Sequence, residues 1–66
     1  MNKVSLIIID KILNDNNFSI ELAQRIGVQQ QSVRALAKRN SKLLTLYAAV
    51  LFYREKGFRD EIIFLN

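Results

Sequence analysis

The sequence predicts an all-α fold, a compact bundle of four to five helices forming one domain over residues 1–66. Three observations carry this expectation. Proline is absent and glycine occurs only at Gly27 and Gly57, too few for a turn-rich β architecture. Apolar residues recur three and four apart along most of the chain, the period of a helix with one buried face. The glycines and the Ser and Asn clusters fall where those periodic segments stop.

The first helix is expected over residues 3–13. Val4, Ile8 and Ile12 share one face at i, i+4 and i+8, with Ile9 and Leu13 alongside. The run Leu6-Ile7-Ile8-Ile9 is rich in β-branched residues, so a strand is the alternative; the continuation through Lys11 favours helix. Asn14-Asp15-Asn16-Asn17 breaks the element, because these side chains compete for local backbone hydrogen bonds. The second helix, residues 20–26, takes Ser19 as N-cap, with Glu21 in its first turn and Phe18 as a staple. Leu22, Ala23 and Ile26 face inward, and Gly27 supplies the positive φ of a C-cap.

Val28 and Gln29 complete the turn into a third helix over residues 30–39, which buries Val33, Leu36 and Ala37. Asn40 is expected to be left-handed and Ser41 to cap the next element. That element, residues 42–56, is apolar nearly all the way round. Leu44, Tyr47 and Leu51 form one stripe, and Leu43, Leu46, Val50 and Tyr53 another. One stripe can cover so small a core; the second, left in water, is the expected dimer surface. Tyr47 and Tyr53 are expected to pack in the core or the dimer rather than to stack on bases. Gly57 ends this helix, and the tail, residues 58–65, reads as either a short helix or a strand.

A chain of this length buries only about 60% of its unfolded surface, which makes dimerisation a natural route to added stability. With neither cysteine nor histidine, it has no disulfide, no thiolate or imidazole metal ligand, and no imidazole base. We therefore expect no metal, cofactor, small-molecule ligand or catalysis, and read Asp60-Glu61 as a solvated pair. Leu6 to Ile9 is too short for a secretory signal, and Leu43 to Tyr53 too short for a membrane span. The expected setting is the cytoplasm of a bacterial or phage-infected cell, at the nucleoid and not at a membrane.

Net charge is +4, and its distribution matters more than its size. Between Leu22 and Tyr53 lie Arg25, Arg34, Lys38, Arg39 and Lys42 without a single acid. A one-signed band of this kind is a footprint for a polyanion, or else a solvated basic face. Around it stand the residues of two helices held at a tight crossing: small Ala23, apolar Leu22, Ile26, Val28, Val33 and Leu36, and Gly27 in the turn. The stretch from Glu21 to Val33, Glu-Leu-Ala-Gln-Arg-Ile-Gly-Val-Gln-Gln-Gln-Ser-Val, resembles the helix-turn-helix of phage repressors and Cro proteins, in particular lambdoid repressors with a Gln-Gln-Ser recognition helix. The resemblance spans about twenty residues, Ser19 to Lys38. The chain departs from that family in a shorter link after the third helix and in Ser19, where the family carries glutamine.

The resemblance implies a sequence-specific double-stranded DNA-binding transcriptional regulator, Cro-like in size, of phage or prophage type, with residues 30–39 in the major groove. Gln30 and Gln31 are the implied base readers, since a glutamine amide pairs bidentately with adenine N6 and N7. Arg34 lies one turn on, within reach of guanine or a phosphate, or is simply solvated. Ser19, Gln29, Ser32, Lys38, Arg39 and Lys42 are the candidate backbone contacts, which position the protein but carry no sequence information. A homodimer on a two-fold operator would place two such helices about 34 Å apart. The competing reading is a small adaptor or antitoxin-like module that docks on another protein through residues 42–56.

Overall fold

The computed structural model describes residues 3–64, and over these the chain is all-helical with no strand. Five α-helices succeed one another: α1 Leu6–Asn14, α2 Asn16–Ile26, α3 Gln30–Lys38, α4 Tyr47–Glu55 and α5 Asp60–Ile63, with a 3-10 helix at Lys42–Thr45 between α3 and α4. The tail thus carries a short helix at Asp60–Ile63 and no strand among the described residues, while Leu65 lies outside them.

Helix α1 starts later than its apolar pattern. Ser5, in extended backbone, is its N-cap, its hydroxyl accepting from the Ile8 amide, so Val4 stands before the helix and is still buried. The expected stripe of Val4, Ile8 and Ile12 is the core face, with Ile9 and Leu13 packed against it. The break after α1 is a single residue. Asp15 closes α1 through its amide, which donates to Lys11 O, and opens α2 through its carboxylate, which accepts from the Phe18 amide. An aspartate does both jobs because its side chain caps while its own backbone leaves the helical region. Ser19 is therefore not the cap but lies in the second turn of α2. Phe18 is likewise no staple: it is buried at the centre of an aromatic group with Phe52 (4.9 Å between centroids), Phe58 (6.0 Å, edge-on) and Tyr53 (6.1 Å, stacked).

Three helices end in the same way, with a left-handed residue. At α2 this is Gly27 (φ 74°), after which the Val28 amide reaches back to Ala23 O. At α3 it is Asn40 (φ 48°), with the Asn40 amide on Ala37 O and the Ser41 amide on Leu36 O. At α4 it is Gly57, with Gly57 on Arg54 O and Phe58 on Tyr53 O. These are Schellman-type ends, which satisfy the last carbonyls while turning the chain sharply. Asn40 is the costly one, because it has a Cβ in left-handed backbone and its Oδ1 is buried without a partner.

The fourth expected helix, residues 42–56, is not continuous. It breaks at Leu46, whose extended ψ of 148° separates the 3-10 turn from α4. Stripes drawn along one uninterrupted helix do not survive that break, since the 3-10 turn advances three residues per turn and the extended residue rotates α4 relative to it. Val50 and Tyr53, expected on the dimer surface, are accordingly buried, and Tyr47, drawn on the other stripe, is 76% exposed. Leu44, Ala49, Phe52 and Tyr53 are the true core positions. The Tyr53 hydroxyl donates to Leu44 O at 2.9 Å, tying α4 to the 3-10 turn, and burial pushes its phenol well above the ordinary tyrosine range.

The two left-handed sites should respond oppositely to substitution. Gly27→Ala places a Cβ at φ 74° with no atom nearby to clash, so its cost is backbone strain alone, about 1–2 kcal/mol. Asn40→Gly removes both the strained Cβ and the unpartnered buried oxygen and should stabilise by about 1 kcal/mol. Urea midpoints for the two variants moving in the same direction would contradict these assignments.

Candidate nucleic-acid interface

Helix α3 packs against both α1 and α2. It buries Val33, Leu36 and Ala37 on the inside, which leaves Gln31, Ser32, Ala35, Lys38 and Arg39 exposed along its outer side. The side of α2 that meets it is built from small residues. Ser19 and Ala23, one turn apart on one face, are both buried, and the start of α3 lies close enough for Gln30 Nε2 to donate to Ser19 Oγ at 2.8 Å. The same Nε2 donates to Asn16 Oδ1. Gln30 is therefore half-buried and held to α2, whereas Gln31 projects freely.

The expected scaffold residues Leu22, Ala23, Val33 and Leu36 are buried, Ile26 packs half-buried against the same core, and Gly27 makes the turn. Val28 is the exception at 40% exposure. Following a left-handed glycine, its side chain is directed away from the crossing, and with Leu43 it borders a shallow groove along α3 that also includes Ser32, Ala35, Leu36 and Arg39. Gln29 is the N-cap residue of α3 and exposed, without a side-chain capping bond. Ser19 cannot be a backbone-contacting residue as expected from the sequence: it is fully buried, and its hydroxyl donates to Asn16 O at 2.9 Å. Asn16, overlooked in the sequence because it reads as part of a helix-breaking run, is the residue that holds Gln30 from the surface side.

The charges separate in space more cleanly than in sequence. Four ion pairs hold Lys11 to Asp15, Arg25 to Glu55, Arg54 to Asp60 and Lys56 to Glu21. Arg25, the first cation of the acid-free band, is thus neutralised by α4 through a two-pronged contact with both Glu55 oxygens. Arg25 and Lys56 also lie over the Phe52 ring, at 5.4 and 5.6 Å from its centroid. Arg34, Lys38, Arg39 and Lys42 have no ion pair among the described residues. Lys38, Arg39 and Lys42 are exposed and Arg34 half-exposed. Lys3 and Arg59 are also without an ion pair among the described residues, so four of the six unpaired cations lie on α3 and the turn after it.

Of the candidate dimer residues, Leu43 and Leu46 are exposed (50% and 46%) and Val50 and Tyr53 are not. With Tyr47 they form an apolar patch at the break between the 3-10 turn and α4. At the α1–α2 corner a polar cleft is lined by Asp10, Asn14, Asn16 and Asn17 beside the Lys11–Asp15 pair. Among the described residues no cluster of acids is placed to hold a metal, and no helix is long and apolar enough to cross a membrane. No family model matches this chain, and no curated protein or solved structure matches it either.

Asp15, Glu55 and Asp60 are all held below the ordinary carboxylate values of 3.8 and 4.5, each chiefly by a hydrogen bond from its cationic partner. A carboxylate depressed in the folded state contributes stability that is fully present above its unfolded pKa and is lost as pH falls through the folded value. Because the chain has no histidine, its thermal midpoint should stay level between about pH 5 and pH 7 and decline only below that. Glu55→Gln should make the acid decline shallower. A midpoint that drifts between about pH 6 and pH 7 would mean that some other group controls stability.

Proposed function

We propose that this chain is a sequence-specific double-stranded DNA-binding regulator of the helix-turn-helix type, with α2 and α3 as the motif and α3 in the major groove. The observation that carries the reading is the coincidence of two features on α3. Amide side chains able to read base edges stand at its N-terminal end, and four of the six described cations without carboxylate partners lie along it and just beyond. Gln30 and Gln31 are the base readers. Arg34, half-buried between them and Lys38, takes a base edge or the nearest phosphate. Lys38, Arg39 and Lys42 bind phosphates, with Ser32 and Gln29 placed beside them; Ser19 drops out of this set. Only Asn40 and Ser41 separate Arg39 from Lys42, so the proposed phosphate contacts come from one short stretch of chain.

The regulator is proposed to act as a homodimer on a two-fold operator, through the patch of Leu43, Leu46 and Tyr47 rather than the buried Val50 and Tyr53. The same patch supports a second reading, a module that docks on another protein and needs no DNA. The two separate by salt. Three or four phosphate contacts imply a loss of affinity of about 40- to 150-fold between 50 and 200 mM salt, roughly 0.9 log units per contact per log unit of salt; an apolar docking module gives little DNA binding at any salt.

Gln31→Ala should lower the preference for operator over random duplex by about 10- to 100-fold, leaving binding to random duplex nearly unchanged. Lys38→Glu should weaken both kinds of binding and reduce the salt slope by about one. Both are read by fluorescence titration of labelled duplexes. Equal losses on both duplexes for the Gln31 variant would remove it from base reading, and a strict monomer in sedimentation with operator present would remove the dimer.

A further inference from the structure

We infer that Gln30 reads its base through a single hydrogen-bond acceptor, so that one position of each half-site takes adenine or cytosine and rejects guanine and thymine. This rests on the DNA-binding reading above and specifies part of its code. The Ser19 hydroxyl is fully buried and donates to Asn16 O at 2.9 Å, a carbonyl that cannot donate in return. The Ser19 oxygen is left with lone pairs only, so whatever group faces it must be a donor. The group facing it at 2.8 Å is Nε2 of the Gln30 amide, a donor that matches those lone pairs. The same nitrogen meets Ser19 Oγ and Asn16 Oδ1, so two contacts together hold the amide with Nε2 inward.

The second hydrogen of Nε2 goes to Asn16 Oδ1. Both donors of Gln30 are then engaged within the protein. The one buried side-chain polar atom without a partner among the described residues is Asn40 Oδ1; Gln30 Oε1, which has no partner either, is therefore not fully buried. A glutamine with a free amide offers donor and acceptor together and selects adenine bidentately; one with only Oε1 free can only accept. In the major groove the bases that donate are adenine through N6 and cytosine through N4, while guanine presents N7 and O6 and thymine O4, all acceptors. Facing either of these, Oε1 meets another acceptor and both go unpaired, a difference of about tenfold in affinity. Gln31 has no such restraint, since it is exposed and makes no side-chain hydrogen bond. Two neighbouring glutamines thus obey different codes, and Ser19 and Asn16 act as positioning residues for the first.

The test is selection of duplexes from a random pool by the full chain, repeated with variants whose melting curves show that they fold. In the parent, the position whose preference disappears in Gln30→Ala should be shared between adenine and cytosine. Asn16→Ala, at an exposed position, and Ser19→Ala, which keeps a small residue in the helix, each free a donor of Gln30 and should narrow that position to adenine. Asn16→Asp keeps the acceptor and should retain the shared preference at lower overall affinity. Adenine alone in the parent would mean that the amide leaves α2 on binding, and guanine or thymine that it is turned the other way. Either result, or no position responding to Gln30→Ala, overturns the inference while leaving DNA binding intact. No enrichment of any duplex overturns the DNA-binding reading itself.

Discussion

The close approach of α2 and α3 is the constraint on which the rest of the structure depends. It requires small side chains on one face of α2, and Ser19 and Ala23 provide them one turn apart. It also requires a turn that reverses the chain within three residues, and left-handed Gly27, with the Val28 amide on Ala23 O, makes that turn. Once the crossing is set, the neighbouring face of α2 carries Phe18 and Leu22 into a core shared with α1 and α4. The aromatic group around Phe18 then joins α2 to α4 and to Phe58 beyond it. A bulkier side chain at either small position would separate α3 from α2 and open the core behind it. So short a chain has little other buried surface to compensate.

Electrostatics divides the same molecule into a structural side and an unpaired side. Glu21, Glu55 and Asp60 each hold a cation on α2, on α4 or at the end of α4, and Arg25 and Lys56 cover the Phe52 ring as they do so. All these pairs are exposed, so each contributes modestly and weakens with salt. Their larger effect is on the distribution of charge. By pairing four cations elsewhere, the acids leave most of the unpaired positive charge on α3 and the turn after it, with only Lys3 and Arg59 outside it among the described residues. A net charge of +4 spread evenly would be a weak polyanion site; four unpaired cations within the nine residues from Arg34 to Lys42 are a stronger one.

Much of this was legible in the sequence wherever a periodic pattern met a residue with strong conformational preference. The Val4-Ile8-Ile12 stripe, the inward face of α3, Gly27 and left-handed Asn40 could all be read from spacing and residue type. Boundaries set by competition between equally good caps could not. Asp15 and Ser19 are both favoured N-caps, and only the packing of Phe18 decides for Asp15. The break at Leu46 left no mark either, since neither glycine nor proline stands there, and with it went the correct faces of α4 and the burial of Val50 and Tyr53. At the interface, the exposed cations were legible as a composition, whereas the capture of Arg25 by Glu55 spans thirty residues of sequence and needed the fold.

The two glutamines show how the scaffold shapes the proposed interface. On the DNA-binding reading, a side chain that is free in solution must be ordered on contact, at a cost of about 0.5–1.5 kcal/mol for a rotamer-rich group. Gln31 bears that cost in full. Gln30 has already met it through Ser19 and Asn16, and what it gives up is half of its hydrogen-bonding vocabulary. A preorganised acceptor fixes the register of α3 in the groove with little entropy loss, and a mobile donor–acceptor beside it supplies the sharper discrimination. The crossing that holds the fold together therefore also sets how much the first residue of α3 can say about the base it meets.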